Sequence, residues 1–189
     1  PIFHPSMRHA GPTRRDLGVR TAFNLLGPLT NPTNAKRQLI GVPTPELTEF
    51  MAHALLELGS ERAWVVHGAD GLDEISISGN TKVSSLENGV VSTFYVHPSD
   101  FGLSCASIES LRVNGPDESL SIAKAVRDDA DGPAKDFVLV NAAASLLIAE
   151  KVPSLEDGVT LARKAVASGK ARDIVKVLGT ITRQDDDST

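Results

Sequence analysis

At 189 residues, with 41% hydrophobic and 23% charged side chains, the chain has the ordinary composition of a soluble globular protein with one substantial core. A formal net charge of −5 argues against a general nucleic-acid binder, which carries a dominant basic footprint, and no apolar run approaches the roughly 20 residues that span a bilayer. The single cysteine, Cys105, excludes a disulfide framework and a cysteine-based zinc site, and it fits a reducing, cytoplasmic setting.

Pro1-Ile2-Phe3 starts apolar, without an initiator methionine or an N-cap. It reads as the exit of a buried strand, so the chain is expected to be the C-terminal part of a longer protein or the product of a cut. His4-Pro5-Ser6-Met7-Arg8-His9 opens a short helical segment, with Pro5 tolerated in its first turn. His4 and His9 are not spaced i, i+4, and no further ligand-type residue completes a metal set.

Residues Pro12 to Pro32 hold the densest chemical signal. Leu17, Thr21 and Leu25 lie four apart, with Val19, Phe23 and Leu26 beside them, while Arg14, Arg15 and Arg20 charge the edges. That pattern predicts a short basic helix, ending at the breakers Gly27-Pro28 and Asn31-Pro32. Residues 1–40 hold six basic side chains and one acidic one, a balance of +5 against −10 for the remainder. A cationic end on an acidic protein suits an anionic ligand, and arginine's fork matches planar carboxylates and phosphates.

A compact apolar run at Gln38–Val42 predicts a buried strand. Helix follows from about Pro45 to Leu58, with Leu47, Phe50, Met51, Ala54, Leu55 and Leu58 assigned to one face and Gly59 as its stop. Arg62–Gly68 is too continuously apolar for a wet face, so strand–helix–strand implies a parallel crossover beneath covering helices. Ligands of such sheets gather at the carboxyl ends of strands. What stands there is Gly68-Ala69-Asp70-Gly71-Leu72-Asp73-Glu74-Ile75-Ser76. Three carboxylates beside two glycines read either as an acidic turn or as a site for Mg²⁺, which takes one or two carboxylates plus phosphate and water; the pattern leaves both open.

Thr81–Ser85 and Val90–Val96, around the turn signal Asn88-Gly89, predict an antiparallel hairpin added to the parallel strands. Pro98 to Cys105 reads as a loop, and Cys105, with no basic residue preceding it, as an inert thiol. The rest is helical: Asp117 to about Asp128, a linker at 128–133, the all-round apolar segment Pro133–Glu150, a helix capped by Ser154 with Leu155, Val159, Ala162 and Val166 as its stripe, and a last helix over Arg172–Leu178. Asn141, inside the apolar segment, requires a hydrogen-bond partner, and a structural part is assigned to it. The fold class is therefore α/β: a partly parallel sheet flanked by helices with an antiparallel hairpin. A short helical segment of a smaller helical domain (1–33) precedes the α/β domain (34–184), which is read as incomplete, and a disordered acidic tail (185–189) follows it.

The stretch HPSMRHAGPTRRDLGVRTAFNLLGPLTNP, the Gly68–Ser76 loop and the Asn141-Ala-Ala-Ala helix together resemble anthranilate phosphoribosyltransferases, and the likeness runs to about Arg183. The resemblance implies transfer of the phosphoribosyl group from phosphoribosyl pyrophosphate to anthranilate in tryptophan biosynthesis. It also implies a Mg²⁺ cofactor and a homodimer formed through the helical part. By similarity, Arg14 matches the arginine that holds the anthranilate carboxylate, His4, Met7, Gly27 and Pro28 match residues lining the aromatic substrate's channel, and Asp73 and Glu74 match the metal-binding pair. The family's glycine-rich phosphoribosyl pyrophosphate loop and its Lys-His-Gly-Asn segment have no match in the 189 residues. The chain is thus expected to hold half a site and to be inactive alone, with a partner chain or a missing N-terminal part supplying the phosphate cradle. The rivals are a nucleoside phosphorylase of similar architecture and a non-catalytic nucleic-acid-binding relative.

Overall fold

The structure is a computed structural model that describes Asp16 and residues 23–184. His4, Met7, Arg14 and the tail at 185–189 lie outside the described residues. Four strands form one sheet in the order β1-β2-β3-β4: β1 (Arg37–Gly41), β2 (Arg62–Gly68), β3 (Thr81–Glu87) and β4 (Val90–Val96). β1 and β2 run parallel, from Arg37 opposite Arg62 to Gly41 opposite Val66. β3 and β4 are antiparallel to their neighbours, with Gly68 opposite Thr81 and Val83 opposite Phe94. The expected mixed sheet, parallel pair plus hairpin, is what forms.

Six helices accompany it among the described residues: α1 (Phe23–Leu29), α2 (Leu47–Glu57), α3 (Pro116–Arg127), α4 (Pro133–Ile148), α5 (Leu155–Ala167) and α6 (Lys170–Gln184). Alternation along β2 sends side chains to two separate cores. Ala63 and Val65 join Ile40, Val42, Met51, Ala52, Leu55 and Leu86 beneath α2. Trp64 and Val66 join Ile75, Ile77, Val83, Leu139, Val140, Ala143 and Ala144 beneath α4 and α5. Each fully buried Val, Leu, Ile or Met side chain contributes about 1.5–3 kcal/mol, and β2, wet on neither face, is the more buried of the sheet's two inner strands and the central strand of the fold. Phe94 meets Trp64 edge-on, with ring centroids 5.4 Å apart.

Several elements differ from expectation for local reasons. α1 does not stop at Gly27-Pro28 but includes both; in the last turn Pro28 forfeits only its own N–H bond, and Thr30 N–H closes the helix onto Leu26 and Gly27 carbonyls. The buried face of α2 is Thr48, Met51, Ala52 and Leu55, while Phe50 and Leu58 are exposed. The face is rotated because Thr48 satisfies its hydroxyl internally, donating to Pro45 O and accepting from Ser84. The segment after β4 contains a 3₁₀ turn at Pro98–Phe101, and Phe101 is buried. The linker before α4 is fastened: Lys135, 4% exposed, pairs with Asp129 and Asp131 at 2.7 and 2.9 Å. α5 crosses α4 so closely that a Cβ on Gly158 would sit 2.8 Å from that of Ala143. Ser154 caps α5 as the sequence indicates, accepting from Asp157 N–H. α6 outruns the expected Arg172–Leu178 at both ends.

Candidate functional site: an acidic loop at the end of the central strand

β2 ends at Gly68, and the chain turns back immediately: Gly71 N–H bonds Gly68 O at 2.9 Å, and Gly68 N–H bonds Leu72 O at 2.8 Å. The loop's hub is Asp70. Its carboxylate accepts from Ser76 Oγ at 2.5 Å, Ser78 Oγ at 2.6 Å and Leu72 N–H at 3.2 Å. Burial pushes the Asp70 carboxyl up, but these donors outweigh it, and its pKa falls below the ordinary carboxylate range. Ser76 N–H is in turn held by Thr81 Oγ1 at 2.9 Å. The three carboxylates therefore do different things: Asp70 is spent on holding the loop, while Asp73 and Glu74 are exposed at its rim.

The Asp73–Glu74 pair is pinned on both flanks. On one side β1 ends against it. A Cβ on Gly41 would lie 1.5 Å from Asp73 O, so only glycine permits this approach. On the other side Ile75, 1% exposed, anchors in the α4 core, and Asn141 pairs with its backbone. Asn141 Oδ1 accepts from Ile75 N–H at 3.0 Å, and Nδ2 donates to Ile75 O at 3.1 Å and to Phe137 O at 3.0 Å. The half-buried amide thus finds the partners its place in an apolar helix requires. Next to the loop, His67 is buried at the end of β2 and donates from Nδ1 to Val42 O at 2.9 Å, tying the segment after β1 to β2.

Partial burial and the like charge of Asp73 together raise the pKa of Glu74. Neither carboxylate of the pair has an ion-pair partner among the described residues. Two adjacent carboxylates whose charges oppose one another fit a hard cation such as Mg²⁺, whose other positions phosphate oxygens and water fill. They do not make a closed cage: among the described residues no three His, Cys, Asp or Glu side chains gather to hold a metal.

Gly27 and Pro28 lie in the last turn of α1, Gly27 exposed and facing open space, Pro28 half-buried. Pro28 lines a small cleft with Leu29, Asn31, Lys36, Gln38 and Leu58, which does not include the acidic loop. Sequence reasoning missed Gly41, whose only signal is a glycine closing an apolar strand, and the holding part of Asp70. It also gave Cys105 no basic neighbour, but the chain folds His97 back, with Nε2 3.3 Å from the exposed thiol sulfur. Because His97 Nδ1 accepts from Ser99 N–H at 3.3 Å, the neutral ring carries its proton on Nε2 and donates it to sulfur.

A family model described as the glycosyl transferase family, a/b domain, matches residues 1–172. Among curated relatives, an anthranilate phosphoribosyltransferase of Nitrosomonas eutropha is 52% identical over 173 residues, which are 92% of this chain and 51% of that protein. Among solved structures, the anthranilate phosphoribosyltransferase of Thermus thermophilus superposes with a TM-score of 0.81 at 40% identity, covering 92% of this chain and 51% of that one. The Saccharomyces cerevisiae enzyme in complex with PRPP and Mg superposes with a TM-score of 0.79 at 31% identity, covering 88% and 48%. The chain spans about half the length of the curated relatives it matches. A mixed sheet with an acidic loop at the carboxyl end of its central strand, and a match over nearly the whole length, place this chain in the glycosyl transferase family, within its α/β domain.

Proposed function

We propose that this chain is the anthranilate- and metal-facing portion of an anthranilate phosphoribosyltransferase. The complete protein transfers the phosphoribosyl group of phosphoribosyl pyrophosphate to anthranilate, in tryptophan biosynthesis and in the cytoplasm. One observation carries the reading: two adjacent carboxylates, unpaired among the described residues, are fixed at the carboxyl end of the central strand in a chain 52% identical to a protein of that name. Asp73 and Glu74 would hold Mg²⁺, which when bound would supply positive charge to neutralise pyrophosphate oxygens. Arg14 binds the anthranilate carboxylate and orients its amine toward the anomeric carbon, where the C–O bond to pyrophosphate breaks as the C–N bond forms. His4, Met7, Gly27 and Pro28 line the aromatic ring's path. The work of such a site is positioning and electrostatics, without a covalent nucleophile. The phosphate cradle comes from polypeptide beyond these 189 residues, in the same or a partner chain, and the complete enzyme is a homodimer.

The test is Arg14→Ala in the complete polypeptide. Losing a charge-assisted pair costs about 1.5–3 kcal/mol, so the KM for anthranilate should rise roughly tenfold to a hundredfold, while Arg15→Ala leaves it nearly unchanged. An unchanged anthranilate KM, or turnover of a pyrimidine nucleoside with phosphate in place of anthranilate, would overturn the assignment.

A further inference from the structure

We propose that Asn141 is a positioning residue for the Asp73–Glu74 pair, acting through the backbone of Ile75; this rests on the reading of that pair as the Mg²⁺ site. α4 is otherwise apolar where it meets the sheet, through Leu139, Val140, Ala143 and Ala144. An amide in that setting costs free energy unless it is fully bonded, whereas an apolar side chain of similar volume would not. Ile75, 1% exposed, already anchors the loop by packing, so holding the loop down does not by itself call for an asparagine.

What the amide adds is direction. Asn141 both accepts from Ile75 N–H (3.0 Å) and donates to Ile75 O (3.1 Å), so it grips two successive peptide planes. The first of these contains the carbonyl of Glu74, and fixing it fixes the backbone torsion from which the Glu74 side chain departs. Asn141 is itself oriented, because Nδ2 spends its second proton on Phe137 O at 3.0 Å, one turn earlier in α4. On the far flank, Gly41 meets Asp73 O closely enough to exclude any Cβ. The two carboxylates thus project from a short span whose backbone is set at both ends by residues 32 before and 67 after Asp73–Glu74 in the sequence, counted from Gly41 to Asp73 and from Glu74 to Asn141. Groups of this kind, which aim metal ligands without touching the metal, change metal affinity when removed.

The experiment compares Asn141→Ala, Asn141→Asp and the double variant Asp73→Asn/Glu74→Gln in the complete polypeptide. Asn141→Asp keeps the volume and an acceptor for Ile75 N–H but turns a carboxylate oxygen on Ile75 O. The readouts are the Mg²⁺ concentration giving half-maximal activity, the anthranilate KM, and amide hydrogen exchange over residues 69–78. The proposal predicts that both Asn141 variants fold, and that their Mg²⁺ midpoint rises on the order of tenfold or more while the anthranilate KM stays put. Exchange of the Ile75 amide should accelerate in Asn141→Ala. A wild-type Mg²⁺ midpoint in a folded Asn141 variant overturns the proposal, as does a parallel rise in the anthranilate KM or failure of both variants to fold, since each marks a structural residue only. If the double variant loses its Mg²⁺ response and the Asn141 variants keep theirs, the inference alone falls; if the double variant itself keeps the wild-type midpoint, the metal reading falls and takes the inference with it.

Discussion

Glu74 stands exposed at the loop rim, yet its carboxyl is partly covered and lies beside Asp73. Both effects raise its pKa, so the folded chain binds a proton there more readily than the unfolded chain. The sign follows: this group's contribution to stability is most favourable below the ordinary glutamate range and declines as pH rises through the raised folded value. Glu74→Gln, which cannot ionise, should therefore raise the melting temperature at neutral pH, and the advantage should shrink toward zero under acid conditions. Thermal melts of the two forms across pH check this, and a variant no more stable at pH 7 would mean the carboxylates are not crowded. A site that holds charge against its own stability is a common signature of function. Asp70 has the opposite sign, since its donors lower the folded pKa, and its contribution is lost on acidification. The sequence displayed all three carboxylates as one cluster. It could not apportion them, because Asp70 is committed by serines six and eight residues further on, through a turn whose geometry no local pattern encodes.

At the scale of elements, the continuous apolar run of β2 and the hairpin signal at Asn88-Gly89 made the sheet legible, because an apolar run and turn chemistry are local properties. The rotated face of α2 and the run of α1 through Pro28 were not, because each depends on a partner: Ser84 for Thr48, and the Thr30 N–H that closes α1. The junction of β1 with the acidic loop belongs to the same class. Gly41→Ala places a Cβ where Asp73 O now lies, so β1 or the loop must shift. Such overpacking costs about 1–3 kcal/mol, to be read as a lowered urea midpoint with an unchanged slope. A loss under about 0.5 kcal/mol, the range of innocuous surface changes, would show that the loop yields freely and is not set by β1.

For the whole molecule, the described structure has one well-built sheet and surfaces that ask for company. Among the described residues β1 hydrogen-bonds β2 alone, so that within them the row of backbone donors and acceptors on its other edge has no strand partner. α6 turns Ile174, Val177, Leu178 and Ile181 outward at i, i+3, i+4 and i+7, an apolar stripe without a cover among the described residues. The likeness of residues 12–32 and of the acidic loop to one enzyme family was legible from residue identity alone, as was the lack of a glycine-rich phosphate cradle. Bare carboxylates repel a pyrophosphate unless a metal bridges them, and backbone N–H groups of such a cradle would have to offset the rest. On the function proposed above, this chain carries one half of a phosphoribosyl-transfer site. The measurement is Mg²⁺-dependent formation of phosphoribosyl anthranilate by the purified 189-residue chain beside the complete polypeptide. The expectation is product from the complete polypeptide and none above background from the chain alone. Turnover by the chain alone within about tenfold of the complete protein, a barrier difference of only about 1.4 kcal/mol, would contradict it.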